Sequence, residues 1–288
     1  MRLAVLGSPR SWYLADLRRA AGRAHTIESL PFSEVASVLE GRAEVRSSGT
    51  SLDRFDAVLV RAMPPGSLEQ VVFRMDALAQ LEAGGTLVIN PPKAIEVAVD
   101  KYLATARLAA AGLPVPATAA CQTVEAAIEA FHALGGDVVM KPLFGSEGRG
   151  IARLQDDNFA QRAFSLVVRL GGVVYLQKFI EHEGCDLRLL VIGEHVFGIR
   201  RCNPLDWRTN ISRGATAEPL EVTAELVELA RRAAAAIGAP LAGVDLLPAR
   251  DGTMYVIEVN AAPGWQALAR TTGIDVAAGI LAEIASRC

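Results

Sequence analysis

Two carboxylates and an amide near the C-terminus stand where they could hold a divalent cation. Gly243-Val244-Asp245-Leu246-Leu247 is followed by Ala249-Arg250-Asp251-Gly252-Thr253 and then by Met254-Tyr255-Val256-Ile257-Glu258-Val259-Asn260. An Asp-Gly between two apolar runs predicts a β-hairpin. With the turn centred on Asp251-Gly252, counting outward sets Asp245 directly opposite Glu258. Side chains alternate faces along a strand, so Asn260 shares the face of Glu258 and Asp245 joins them. Pro248 would fall at a hydrogen-bonded pair in a two-residue hairpin, so a four-residue loop about the same centre is expected. Like charges directly opposite repel. Two carboxylates and an amide oxygen are hard ligands that suit Mg²⁺ shared with phosphates. A solvated sheet face would also tolerate them, but the apolar neighbours on both strands argue against it.

Phosphate chemistry has a second pointer. The chain holds 25 arginines and only four lysines, Lys93, Lys101, Lys141 and Lys178. Where arginine is the default cation, a lysine suggests a place that needs a compact point charge. Lys141 ends the apolar run Val138-Val139-Met140, just before a loop with Gly145, Gly148 and Gly150. Such a loop can bring backbone N–H groups against phosphate oxygens. It is not a Walker A loop, since no Gly-Lys-Ser/Thr follows, and it does not open a helix as a dinucleotide fingerprint does. Lys93, after two prolines, reads as a surface residue. Arg61 ends the apolar run Ala57–Val60. Ligands of open α/β sheets gather at strand ends, so Arg61 is the N-terminal region's candidate for docking a substrate carboxylate by its guanidinium fork.

The elements that must position these groups alternate. Strands are expected at Leu3–Leu6, Ala57–Val60 and Thr86–Ile89, with a helix from an N-cap at Ser67 to Ala83. That alternation implies a mainly parallel α/β sheet. A helix from Asp100 to Ala111 stops at Gly112, and Leu113-Pro114-Val115-Pro116 reads as a stiff connector at a domain boundary. Beyond it come helices near 123–134, 156–170 and 224–237. Strands are expected near 138–140, 173–176, 187–192, 196–199, 242–247 and 254–259. In a last helix Ala277, Ile280, Leu281 and Ile284 share one face.

Bulk properties exclude several function classes. A chain of 288 residues suits two or three subdomains. A formal charge of −3 gives no basic field for nucleic acid or an anionic membrane. No apolar run is long enough to span a bilayer or to serve as a signal peptide, so a cytoplasmic location is expected. Cys121, Cys185, Cys202 and Cys288 show no metal spacing, nor do the four histidines. Reduced thiols are therefore expected, not a disulfide framework or a zinc site.

Taken in order, these residues resemble a known family. The series is Asp100-Lys101, Val139-Met140-Lys141-Pro142 with its glycine loop, Leu176-Gln177-Lys178-Phe179-Ile180, and Gly184-Cys185-Asp186-Leu187-Arg188. It continues with Trp207-Arg208-Thr209-Asn210, Arg213-Gly214, Ala242-Gly243-Val244-Asp245 and Glu258-Val259-Asn260-Ala261-Ala262-Pro263-Gly264. From about Asn90 to the C-terminus the chain resembles the RimK-type ATP-grasp ligases. The resemblance implies an α/β protein with an ATP-grasp fold behind an N-terminal parallel α/β domain. The divisions it implies are 1–92, 93–182 and 183–288.

The resemblance also implies roles. ATP would lie between two subdomains, with Lys101 and Lys141 on its phosphates and the loop of Gly145, Ser146, Gly148 and Gly150 folded over them. Lys178, Phe179 and Ile180 would frame the adenine, mostly through backbone groups. Asp186 would sit near the ribose or substrate, and Arg208, Thr209 and Asn210 would touch nucleotide. Arg200, Arg208, Asn210 and Arg213 would serve the acyl phosphate, Arg188 the substrate. Asp245, Glu258 and Asn260 would bind two Mg²⁺ ions, with Mn²⁺ an alternative. Two departures stand out: position 178 is usually acidic in this branch, and Glu147 adds a negative charge to the loop, which is expected to point outward.

The implied reaction is an ADP-forming carboxylate–amine ligation through an acyl phosphate, between a small-molecule acid and an amine. L-Glutamate is the expected amine. Gly7-Ser8-Pro9-Arg10-Ser11-Trp12-Tyr13 and Val60-Arg61-Ala62-Met63-Pro64-Pro65-Gly66 resemble members that extend tetrahydromethanopterin- or methanofuran-type cofactors. A protein terminus or carrier protein is the alternative acceptor. A catalytically silent ATP-binding regulator is the rival from another class, and the retained Lys141, Asp245, Glu258 and Asn260 argue against it. Homo-oligomerisation is left open.

Overall fold

The computed structural model describes residues 1–145 and 148–288; Ser146 and Glu147, and the expectations attached to them, lie outside the described residues. The N-terminal region runs β1 (Arg2–Leu6), α1 (Trp12–Ala21), β2 (Thr26–Leu30), β3 (Val35–Glu40), β4 (Arg42–Ser47), β5 (Thr50–Ser51), β6 (Ala57–Val60), α2 (Leu68–Ala83) and β7 (Leu87–Ile89). Strands β2-β1-β6-β7 form a parallel sheet, as strand–helix alternation requires. Ser67 caps α2 in a capping box with Gln70. The antiparallel sheet β3-β4-β5 is an addition to the expected elements. Its strands carry more polar than apolar residues, and β3 is mostly exposed, so no strong period marks them.

The next elements are α3 (Pro92–Val99), α4 (Lys101–Ala110), β8 (Thr118–Cys121), α5 (Val124–Ala133), β9 (Val138–Lys141), β10 (Ala152–Leu154), α6 (Asp157–Arg169) and β11 (Val174–Lys178). Asp100 caps α4 by accepting from the Leu103 N–H. Strands β10-β9-β11-β8 form an antiparallel sheet. Val138, Val174 and Leu176 pack on Phe131 of α5 and Phe164 of α6. Strand alternation then turns Lys141, Tyr175 and Gln177 to the opposite face.

The last part contains β12 (Cys185–Ile192), β13 (His195–Cys202), β14 (Thr216–Pro219), α7 (Ala224–Ile237), β15 (Leu241–Pro248), β16 (Met254–Asn260), α8 (Gln266–Thr272) and α9 (Val276–Arg287). Its sheet is β14-β13-β12-β15-β16, antiparallel throughout. Leu189, Val191, Val244, Leu246 and Val259 cover one face and share a core with Ala230, Ala233 and Ile237 of α7. In α9 Ala277, Ile280, Leu281 and Ile284 are buried together, as their spacing predicts. Among the described residues no helix is long and apolar enough to cross a membrane.

The β15–β16 hairpin reaches the expected pairing by another route. Its loop is three residues, Arg250-Asp251-Gly252, with Gly252 at φ +87° and the Ala249 N–H bonded to the Thr253 carbonyl at 2.9 Å. That corrects the four-residue loop and puts Leu246 opposite Val256. A β-bulge at Ile257 then restores the count, so Asp245 does face Glu258. Beside the bulge, the connector's Pro114 carbonyl accepts the Val256 N–H at 2.7 Å.

A disulfide joins Cys185 and Cys202, directly opposite on β12 and β13, which corrects the expectation of four reduced thiols. Their separation of 17 residues carries no motif. The hairpin around Gly193-Glu194 is what brings them together.

Asn90, 0% exposed, ties the parallel sheet to the large antiparallel one. Its Nδ2 donates to the Leu241 carbonyl at 2.7 Å and to the Ala261 carbonyl, and its Oδ1 accepts from the Leu241 N–H at 2.9 Å. Asn90→Ala leaves three buried backbone groups unpaired, and we expect a loss of about 2–5 kcal/mol in denaturant unfolding. Asn90→Asp should lose at least as much at neutral pH. Burial raises its carboxyl pKa in the folded state above the unfolded value, so folding at neutral pH must take up a proton, and the penalty should shrink as pH falls toward the unfolded pKa.

Candidate active site

The second face of the large sheet is apolar where Leu190, Ile192 and Ile199 pack with α9 and charged beyond them. Asp186 and Arg188 on β12, Arg201 on β13, Asp245 on β15 and Glu258 on β16 stand in adjacent register: Asp186 opposite Arg201, Arg188 opposite Asp245, Asp245 opposite Glu258. Arg188 Nη1 donates to Asp245 Oδ1 at 2.6 Å, and Arg201 Nη2 lies 3.2 Å from the same oxygen. Arg201 also holds Asp186 by a two-point fork at 2.8 and 2.5 Å. Gly243 makes room for this: a Cβ there would sit 2.6 Å from Arg188 Nη2.

The three carboxyls answer burial differently. For Asp245 burial works upward, but Arg188 and Arg201 outweigh it and hold the carboxyl below the ordinary range. Burial raises Asp186, with Arg201 opposing. Burial also raises Glu258, the charge of Asp245 adds to the rise, and Lys101, Lys141 and Arg188 oppose it. The side chains of Glu258 and Asn260 make no hydrogen bond to any described residue. No three His, Cys, Asp or Glu side chains cluster as a metal cage among the described residues. The donor set is therefore two carboxylates and an amide, all hard oxygens, one carboxylate already shared with arginines. It fits Mg²⁺ that draws its remaining ligands from phosphates and water, and it does not fit an all-protein cage.

Facing this surface across a cleft are Lys101 at the start of α4 and Lys141 and Tyr175 of the smaller sheet. Lys141 Nζ donates to Gln177 Oε1, and burial pushes its pKa down to about 8, with Glu258 opposing. Burial lowers Lys101 as well, again against the pull of Glu258. Lys101 Nζ also donates to the Gly145 carbonyl at 2.7 Å. Tyr175 Oη is hydrogen-bonded to Thr105 Oγ1 at 2.8 Å, and its pKa is pushed up to about 12 by burial.

The glycine loop is latched on its far side by residues 203–214. Arg213 Nη2 donates to the Gly148 carbonyl at 3.2 Å. Asn203 Nδ2 organises this segment by donating to the carbonyls of Arg208 and Arg213 at 3.0 and 3.2 Å. Trp207, Arg208, Thr209 and Asn210 line the cleft.

Not every expected residue arrives there. Arg200 lies on the outer face, exposed, near Cys185 and Glu218. Adjacent residues of a strand point to opposite faces, so Arg201 is the arginine that reaches the cleft. The N–H groups of Lys178 and Phe179 already serve the carbonyls of Ala117 and Asp137, which leaves the backbone contacts expected of this segment to its carbonyls and to the Ile180 N–H. The Lys178 side chain is exposed, and the Phe179 ring is covered by the Arg153 guanidinium at 3.4 Å. Ile180 does not line the cleft, whereas His182 does. Arg208 reaches the cleft wall but is paired with Asp206 at 2.6 Å. Sequence reasoning misses Arg201, Gln177, Tyr175 and Asn203; strand parity carries the signal for the first three.

Gly148 tests the latch. Its φ is +68°, and a Cβ would stand 2.5 Å from Asn210 Oδ1. For Gly148→Ala we expect left-handed strain of about 1–2 kcal/mol plus this clash, a tenfold or greater loss of nucleotide affinity, and little change in melting temperature. Adding Asn210→Ala should recover only part, since it removes the clash and leaves the strain. Calorimetric titration of both variants with an ATP analogue checks this.

With the geometry in place, comparison with known proteins is direct. The RimK-like ATP-grasp domain model matches residues 98–284. The chain is 36% identical over 259 residues to the tetrahydromethanopterin:alpha-L-glutamate ligase of Methanosarcina acetivorans, covering 80% of each chain. It is 31% identical over 284 residues to a ribosomal protein bS6–L-glutamate ligase of Escherichia coli, covering 96% of this chain and 93% of that one. Among solved structures, the RimK domain ATP-grasp protein of Sphaerobacter thermophilus superposes with a TM-score of 0.73 at 24% identity, over 99% of this chain and 100% of that one. The ATP-grasp ligase PsnB superposes with a TM-score of 0.78 at 23% identity over 99% of each chain. The charged sheet face, the opposed lysines and the latched glycine loop thus sit in a chain that belongs to the RimK-like ATP-grasp family of carbon–nitrogen ligases.

Proposed function

We propose that this protein uses ATP and Mg²⁺ to join L-glutamate to the carboxylate of a small-molecule acceptor, of the tetrahydromethanopterin or methanofuran type, releasing ADP and phosphate. The observation that carries this reading is the opposition of Lys101 and Lys141 to Asp245 and Glu258 across one cleft. Cations that compact, set against carboxylates that close, suit a polyphosphate with a divalent ion between. The tetrahydromethanopterin relative favours a small acceptor. The bS6 ligase, similar over nearly the whole chain, supports a protein terminus as the second reading.

A carboxylate is a poor acyl donor because oxide would have to leave. Transfer of the γ-phosphoryl group gives an acyl phosphate, whose leaving group is phosphate; the amine then attacks the carbonyl carbon and phosphate departs. Mg²⁺, when bound, offsets phosphate charge and aligns the in-line transfer. Asp245, Glu258 and Asn260 would hold it. Lys101 and Lys141 bind phosphate oxygens as point charges. Arg188 and Arg201 keep Asp245 ionised and fixed in place. Arg213 and Lys101, each bonded to a carbonyl of the glycine loop, hold the loop over the cleft and exclude water that would hydrolyse the acyl phosphate. With Arg200 on the outer face, Arg201 and Arg188 are the better candidates for stabilising charge at the reacting carbonyl.

Four measurements test this. Nucleotide products should be ADP and phosphate, dependent on Mg²⁺; AMP and pyrophosphate would refute the reaction class. Glu258→Gln should abolish turnover while the fold persists, because removing one of two facing carboxylates relieves repulsion in the empty site. Lys141→Ala should weaken ATP binding about tenfold or more, a charged hydrogen bond being worth about 1.5–3 kcal/mol. Lys93→Ala is the control, since Lys93 is 72% exposed and paired with Glu96. Mass spectrometry of products from pterin-type, furan-type and peptide acceptors separates the two acceptor readings.

A further inference from the structure

Arg61 is not in the cleft described above, and its surroundings are unusual. It follows β6 at the carboxyl end of the parallel sheet, its N–H bonded to the Leu6 carbonyl at 2.9 Å. Its guanidinium lies between two rings, 4.8 Å from the Tyr13 centroid and 4.5 Å from that of Trp265. Nε and Nη1 are buried and have no hydrogen-bond partner among the described residues. Burial pushes its pKa down to about 10, and no carboxylate among the described residues opposes that shift. Asp16 touches this cluster but is committed, accepting from Trp265 Nε1 at 2.9 Å and from Arg19.

A buried guanidinium without a counter-ion is costly. The two rings stabilise it through its faces. They do nothing for its in-plane N–H groups, and those of Nε and Nη1 have no acceptor among the described residues. Nε and Nη1 lie on different edges of the guanidinium, each shared with Nη2, and either edge matches the plane of a carboxylate in a two-point fork. The cluster is also joined to the charged sheet face. Ala261-Ala262-Pro263-Gly264 links Asn260 to Trp265. A Cβ on Gly243 would lie 2.6 Å from Arg188 Nη2 and 2.9 Å from Pro263 Cβ, and a Cβ on Gly264 would lie 2.5 Å from Tyr13 Oη. The short segment after Asn260 therefore passes from Arg188 at one end to Tyr13 at the other.

We propose that Arg61, clamped between Tyr13 and Trp265, docks a carboxylate of the amino-acid substrate through an in-plane edge. The inference rests on the ligase reading above and adds the residue that selects an anionic amine substrate. Chemistry favours the amine partner over the acid. The acid loses its reacting carboxylate to phosphorylation, whereas glutamate keeps both of its carboxylates throughout and needs at least one permanent counter-charge.

The test compares wild type, Arg61→Met and Arg61→Lys. For Arg61→Met we expect the KM for L-glutamate to rise about thirtyfold or more, as for loss of a buried charged fork. The KM for ATP should stay within about twofold, and the melting temperature should hold or rise. Arg61→Lys keeps the charge but loses the fork and should fall between. Direct titration of L-glutamate and L-glutamine into the chain loaded with Mg²⁺ and a non-hydrolysable ATP analogue separates this proposal from the ligase reading. Wild type that binds L-glutamate through Arg61 but forms no amide refutes the ligase reading and keeps the clamp. Amide formation equally efficient in wild type and Arg61→Met refutes the clamp and keeps the ligase. Wild type that neither binds nor uses L-glutamate overturns the proposal. Failure of both variants to fold would make Arg61 structural and overturn it as well.

Discussion

Everything at this site depends on how one buried carboxylate is held. Asp245 is 7% exposed and faces Glu258 directly across two antiparallel strands. Two like charges so placed repel, and burial strengthens the repulsion. The chain resolves this by asymmetry. Arg188 and Arg201 converge on Asp245 and keep it ionised, while Glu258 is left without a hydrogen bond among the described residues, its pKa raised and its remaining charge offset by two lysines from the opposite wall. Such an arrangement does little for stability by itself. A buried ion pair roughly offsets its own desolvation, yet removing one partner costs about 3–5 kcal/mol. Its value is positional: one carboxylate is immobile, and the other is ready to gain a ligand.

The remaining architecture serves to bring a second charged surface against this one. The smaller sheet buries Val138, Val174 and Leu176 under its helices, and by strand parity turns Lys141, Tyr175 and Gln177 toward the cleft. The large sheet does the same, with one face on α7 and its charged groups toward the cleft. Asn90 ties the parallel sheet to the start of β15 and the residue after β16, so the N-terminal region is anchored to the strands that carry Asp245 and Glu258. On either side of Ser146 and Glu147, the Gly145 carbonyl is bonded to Lys101 and the Gly148 carbonyl to Arg213.

Much of this is legible in the order of residues. Hairpin counting finds Asp245, Glu258 and Asn260, but through two departures that cancel: a shorter loop moves the register by one, and the bulge at Ile257 moves it back. Beside the bulge, the Val256 N–H is bonded to the connector's Pro114 carbonyl, a contact remote in sequence. The same outward count, applied to the β12–β13 hairpin, pairs Cys185 with Cys202 and sets Arg201, not Arg200, beside Asp186. Those signals are local, and neither the expected thiols nor the expected arginine took them into account. Lys178 and Phe179 differ in kind. Their N–H groups are consumed by Ala117 and Asp137, which no spacing within their own strand reveals.

The sequence by itself determined the strong periodicities, the caps of α2 and α4, the order of the strands and helices that carry the site, its polar identity and the family. All of these are carried by nearest neighbours along the chain or by residue type. Tertiary structure alone decided which arginines pair with which carboxylates, which N–H groups remain free, and that Arg61 is enclosed by Tyr13 and Trp265 from opposite ends of the chain. The reason is physical. Burial and counter-charge set whether a group is ionised, paired or free, and both are sums over neighbours that only folding assembles.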